Sequence, residues 1–131
     1  MTDDLEFSWV RERHSCSAYA MFAKLKLEIE QDVKERNDLR PEERWYGFRV
    51  VSHGSTFSVI RDGNRISKVI TFSIDNEEIV VKDDQDKVVL KALITLNDER
   101  ECKFKIDGKE MESWHLRKMV LEEMFFGSDV R

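Results

Sequence analysis

Between Ser17 and Asn37 the apolar side chains Ala18, Phe22, Leu25, Ile29 and Val33 recur at spacings of three and four, while Lys24, Glu28, Glu30, Lys34 and Glu35 fill positions between them. That spacing predicts a long amphipathic helix with one face toward a core. Ser15 or Ser17 supplies an N-cap, and the stop is expected at Asn37-Asp38-Leu39-Arg40-Pro41, because proline disfavours the α conformation in the residue before it. Leu27 falls among the charged positions and is a misfit in this pattern.

Beyond Pro41 the period becomes two, and β-branched and aromatic residues take over. About six strands are predicted, near Trp45 to Ser52, Thr56 to Arg61, Arg65 to Ile74, Glu77 to Lys82, Lys87 to Leu96 and Arg100 to Ile106. The breaks between them, such as His53-Gly54-Ser55, Asp75-Asn76 and Asn97-Asp98, are too short for a parallel crossover, so the strands form an antiparallel meander. Ile70, Phe72 and Ile74, then Leu90, Ala92 and Ile94, then Cys102, Phe104 and Ile106 mark one face of that sheet as core. Val69, Val89 and Leu93 point the other way, which predicts partial cover on the second face. A last helix, from about Met111 to Phe126, carries a wide apolar face and is stopped by Gly127.

The fold class expected is therefore α+β: an N-terminal long helix, an antiparallel meander of about six strands, and a C-terminal helix. At 131 residues, with 40% hydrophobic and 37% charged side chains, the chain is expected to fold as a single α+β domain over residues 1–131, with about 1–14 and 127–131 flexible. The acidic start Met1 to Glu6 lacks the positive charge that precedes a secretory signal's apolar run, so no export is expected. No stretch approaches the roughly 20 apolar residues that span a bilayer. Two cysteines far apart in sequence, Cys16 and Cys102, make no disulfide framework and are expected as reduced thiols in a cytoplasmic protein. The formal net charge of -5 disfavours nucleic acid and anionic membranes and makes a basic protein partner electrostatically easier.

Candidate chemistry changes this picture little. His14 lies two residues before Cys16, and a nucleophilic cysteine needs a nearby base, but no orienting acid accompanies the pair. His14, His53 and His115 have no ligand spacing with each other or with cysteine, so no metal is expected. Ser52-His53-Gly54-Ser55-Thr56 has the hydroxyls and glycine of a phosphate cradle, yet a strand follows it where such loops lead into a helix. The acidic run Asp83-Asp84-Gln85-Asp86 lacks the glycine and terminal glutamate of a calcium loop. No cofactor is expected. Arg44-Trp45-Tyr46-Gly47-Phe48-Arg49-Val50 interleaves basic and aromatic residues and partly resembles the aromatic strand of RNA-recognition motifs. Trp45 and Arg49 stand where that pattern wants glycine and an aliphatic residue, and the element order is wrong for it, so RNA binding is set aside.

These observations lead to the expectation of a small acidic, non-enzymatic protein-interaction module of the adaptor, chaperone or inhibitor type, docking on a macromolecular partner. The apolar excess from Trp114 to Phe126 and the negative charge favour it. A pocket between a curved sheet and a helix, binding a small molecule or hosting a modest reaction, is the alternative. A homodimer through the C-terminal helix or a sheet edge is compatible with either. The candidate binding residues are the aromatic and basic set Trp45, Tyr46, Arg49, Arg61 and Arg65.

Overall fold

A computed structural model of the chain describes residues 7–39, 47–63 and 68–127. The helical periodicity after Ser17 is realised as the 22-residue helix α2 (Ala18–Leu39), and a separate short helix, α1 (Trp9–Ser15), precedes it. Ser17 is the side-chain cap of α2: its Oγ accepts the Ala20 N–H at 3.1 Å. Helix α1 falls where a flexible end was expected. Its seven residues bury nothing, so they carry no apolar rhythm to read; the local signal is Ser8, whose Oγ accepts the Arg11 N–H at 3.2 Å.

Seven strands, rather than about six, form one antiparallel sheet in sequence order: β1 (Gly47–His53), β2 (Thr56–Asp62), β3 (Lys68–Asp75), β4 (Glu78–Lys82), β5 (Val88–Leu96), β6 (Cys102–Ile106) and β7 (Lys109–Met111). The meander holds throughout. The additional strand is β7, only three residues long, which folds back on β6 through Asp107-Gly108. Both turn residues have positive φ, 51° and 79°, the geometry that matches a two-residue hairpin to the twist of its strands. Asn76 and Glu77 join β3 to β4 in the same way, at φ 55° and 67°; Glu77 adopts a conformation there that glycine or asparagine enters more cheaply. Helix α3 (Ser113–Phe126) closes the described chain. Gly127 ends it in extended backbone, its N–H donating to the Glu123 carbonyl at 2.7 Å.

Both long helices pack on the same face of the sheet. Leu25, Ile29 and Val33 of α2 and Leu116, Val120, Leu121, Met124 and Phe125 of α3 join Phe48, Phe57, Val59, Phe72, Ile79, Val81, Ala92, Phe104 and Ile106 in one buried cluster. Cross-strand pairing aligns these side chains: Phe57 faces Phe72, Phe72 faces Val81, and Ile94 faces Phe104. The Phe57 and Phe72 rings stack at 4.8 Å, and Phe22 of α2 lies 5.1 Å from Phe57. Each such burial contributes about 1.5–3 kcal/mol, which is why the period-two and period-3.6 patterns had to converge on one layer. On the opposite face Val89 and Leu93 remain about half exposed. No helix among the described residues is long and apolar enough to cross a membrane.

The expectation of two reduced thiols is overturned. Cys16 and Cys102 form a disulfide, with Cα atoms 5.6 Å apart. It ties the elbow between α1 and α2 to the first residue of β6. Eighty-six residues separate the two in sequence, and nothing in that spacing reveals that the meander returns the start of β6 to the elbow.

The edge strand β1 is partly closed by a side chain. Asn37 of α2 donates its Nδ2–H to the Phe48 carbonyl at 2.9 Å and accepts the Phe48 N–H on Oδ1 at 3.1 Å, the pair of bonds that a neighbouring strand would make.

Candidate functional site

Of the five residues singled out from the sequence, Trp45, Tyr46 and Arg65 lie outside the described residues. Arg49 and Arg61 are on adjacent strands, but the register pairs Arg49 with Ile60 and Phe48 with Arg61, so the two arginines project from opposite faces of the sheet. Arg49 is exposed and donates from Nε to Asp62 at 2.7 Å, which raises its pKa above the usual arginine value. Arg61 is buried on the helix side beside Phe48. No common surface joins these two residues.

The other candidates resolve locally. Cys16, held in the disulfide and 2% exposed, has no thiolate to offer. Among the described residues no group of three His, Cys, Asp or Glu side chains is arranged to hold a metal ion. Asp83 organises the acidic turn between β4 and β5: its Oδ1 accepts the N–H groups of Lys87 at 3.0 Å and Gln85 at 2.9 Å, which hold its pKa below the usual aspartate range.

The most developed surface feature lies between α2 and α3. The two helices run in the same direction, as their contacts advance together: Ser113 with Glu28, Arg117 with Asp32, and the carbonyl of Phe125 with Arg36. The Ser113 hydroxyl donates to Glu28 and accepts the Arg117 Nε–H at 3.2 Å, and Arg117 Nη1 lies 2.8 and 2.7 Å from the two Asp32 oxygens. This partly buried polar ladder sets the helix separation. Beyond it Arg36, itself buried, donates Nε–H to the Phe125 carbonyl at 2.8 Å and lies with its guanidinium 5.0 Å from the Phe48 ring and 5.1 Å from Phe126. A guanidinium between two ring faces is a favourable cation–π arrangement, and it also lends a positive group to the carbonyl end of α3.

Alongside the ladder the two helices border a cleft of about 440 Å³, with Asp32 and Arg117 in its lining. Leu121 and Phe125 form buried parts of its lining, while Leu39, Trp114 and Phe126 stand at it more than half exposed. Glu35, Lys118 and Glu122 supply charge around it; Lys118 pairs with Glu122 at 3.0 Å. Trp114 is held flat against His115, ring centroids 5.1 Å apart. Such a cleft is suited to burying apolar side chains while meeting polar groups at its margin, and it presents no assembled nucleophile and base. Comparison with known proteins is negative: no family model, no curated protein and no solved structure matches the chain.

The apolar surplus of Trp114 to Phe126 was legible in sequence, because one helical face cannot turn all of those side chains inward. Leu39, Arg36 and Asn37 were not. They sit at the predicted end of α2, where the sequence offered only a stop signal, and the described helix includes Leu39.

A second exposed apolar region lies at the other end of α2. Trp9 and Val10 of α1 and Tyr19 of α2 are each more than half exposed around a separate hollow that includes Arg13, His14 and Glu77. Helix α1 is fastened at its two ends. Phe7 lies 4.4 Å beneath the Arg100 guanidinium, and Arg13 donates to the Cys16 carbonyl at 2.6 Å beside the disulfide.

Proposed function

We propose that this chain is a non-enzymatic interaction module whose cleft between α2 and α3 receives an amphipathic, net-basic helix from a macromolecular partner. The supporting observation is the joint exposure of Leu39, Trp114 and Phe126 around one cleft whose base is already packed. Apolar groups grouped in this way cost free energy in water and are commonly covered by a partner, and a helix laid into a groove presents anchors at the required spacing. Charge favours a basic occupant. The segments that build the cleft, Glu28 to Leu39 and Ser113 to Phe126, carry seven acidic side chains against four Lys and Arg.

The alternative of a ligand pocket between sheet and helix has less room, because Phe57, Phe72 and Phe104 are fully buried in that space. An oxidising compartment suits the cystine better than the reducing cytoplasm expected from the sequence, since disulfides persist where thiol reductants are scarce.

The test is calorimetric titration with a patterned Leu/Lys helical peptide and a scrambled peptide of the same composition. The patterned peptide is expected to saturate, and Trp114→Ala or Phe126→Ala to weaken it at least tenfold, as truncation of a central aromatic anchor does. Equal binding of both peptides, or no change in either variant, removes the cleft as a docking site.

A further inference from the structure

We infer that the occupant of the cleft is helix α1 of a second copy of this chain, docked reciprocally while each α1 stays fastened to its own subunit. The inference rests on the cleft reading above and names its partner. Three observations lead to it.

First, α1 offers two exposed apolar side chains and a net positive charge. It is a helix that buries none of its own side chains, it exposes Trp9 and Val10, and Arg11 and Arg13 outweigh Glu12 in its seven residues. The cleft-forming segments have the opposite balance. These are the two surfaces where large aromatic side chains stand more than half exposed on described helices, and their charges are complementary.

Second, α1 cannot reach its own cleft. Cys16 is bonded to Cys102 at one end of α2, while Asp32, Leu39 and Arg117 mark the cleft toward the other. At about 1.5 Å per residue, the rise from Ala18 to Asp32 is about 21 Å and to Leu39 about 31 Å, whereas Trp9 lies only about 10 Å along the chain axis from the anchored Cys16. Phe7 beneath Arg100 fixes the far end of α1 as well. Only another molecule can bring the two surfaces together.

Third, a single seven-residue helix is far smaller than the roughly 20–30 residues per side of a stable interface. Reciprocal docking doubles the contact within one closed pair.

The measurement is light scattering coupled to size exclusion, with native mass spectrometry, on the oxidised full chain at micromolar concentrations. Wild type is expected as a dimer. Trp9→Ala and Trp114→Ala, both at exposed positions and checked for folding by circular dichroism, are each expected to raise the dimer dissociation constant at least tenfold. The charge variant Arg11→Glu should do the same and lose its difference from wild type in high salt. A wild-type monomer at 100-fold higher concentration overturns self-docking, as does a dimer indifferent to both substitutions. The Leu/Lys peptide then separates the two claims: a monomer that still binds it through Trp114 keeps the cleft reading and loses only this occupant, and one that does not loses both.

Discussion

At the scale of single residues, the disulfide is where sequence and structure part most sharply. Proximity of Cys16 and Cys102 depends on the register of successive hairpins, none of which is encoded near Cys16, so counting and spacing could not pair them. The energetic consequence is large. Closing a loop of this length restricts the unfolded chain by about 4–5 kcal/mol on the chain-entropy model, against a total stability of about 5–15 kcal/mol for an ordinary domain. Denaturant unfolding of Cys16→Ser/Cys102→Ser is therefore expected to show a markedly lower midpoint than the oxidised protein. Thiol titration of the unfolded, unreduced wild type should find no free thiol; two thiols with an unchanged midpoint contradict the bond. Asp83 gives a second residue-scale expectation. Because its two accepted N–H bonds hold its pKa below the unfolded value, its contribution is present above the ordinary aspartate pKa and is lost as pH falls through the lower, folded one. Amide exchange at Gln85 and Lys87, corrected for intrinsic rates, should accelerate below about pH 4, and Asp83→Asn, which keeps an acceptor without the charge, should flatten that dependence. Arg61 carries the matching lesson about sites. An arginine on a strand reads as surface charge, but period two and the register turn this one inward beside Phe48.

At the scale of elements, what was legible was whatever buries a periodic face. Helix α2, helix α3 and the strands from β1 to β6 repeat their apolar positions because the same core receives them, whereas α1 and β7 bury little and left no rhythm. Element ends were less legible for a related reason: they are set by caps, turns and edges, which single side chains decide. Asn37 is the clearest case. Its carboxamide occupies both hydrogen-bonding groups of Phe48 at the β1 edge, so its loss leaves two backbone groups to find water and opens an edge to pairing with other chains. Asn37→Ala is expected to cost about 1–3 kcal/mol and to increase aggregation on partial unfolding. Asn37→Asp, which keeps one acceptor but loses the donor, should be intermediate. If both variants match wild type in thermal melting and in light scattering, the side chain does not guard the edge.

At the scale of the whole molecule, every large element sends side chains into one buried cluster, and that shared cluster makes a claim about cooperativity. The inward face of α2 cannot leave while α3 and the sheet stay, since Ile29, Leu116 and Phe72 are all fully buried in the same layer. The polar ladder and the disulfide reinforce this, one tying helix to helix and the other tying helix to sheet. Far-ultraviolet dichroism, which follows the helices, and aromatic near-ultraviolet dichroism, which follows the phenylalanine-rich core and its surroundings, should therefore report one coincident transition. Phe72→Ala probes the claim from the centre. Removing a buried phenylalanine costs about 3–5 kcal/mol, and because the ring stacks on Phe57 and pairs with Val81, the loss should lower both signals' midpoints together. Separate midpoints for helix and core in that variant would mean that α2 and α3 hold together without the sheet, and the elements would then have to be treated as two units whose contact is secondary.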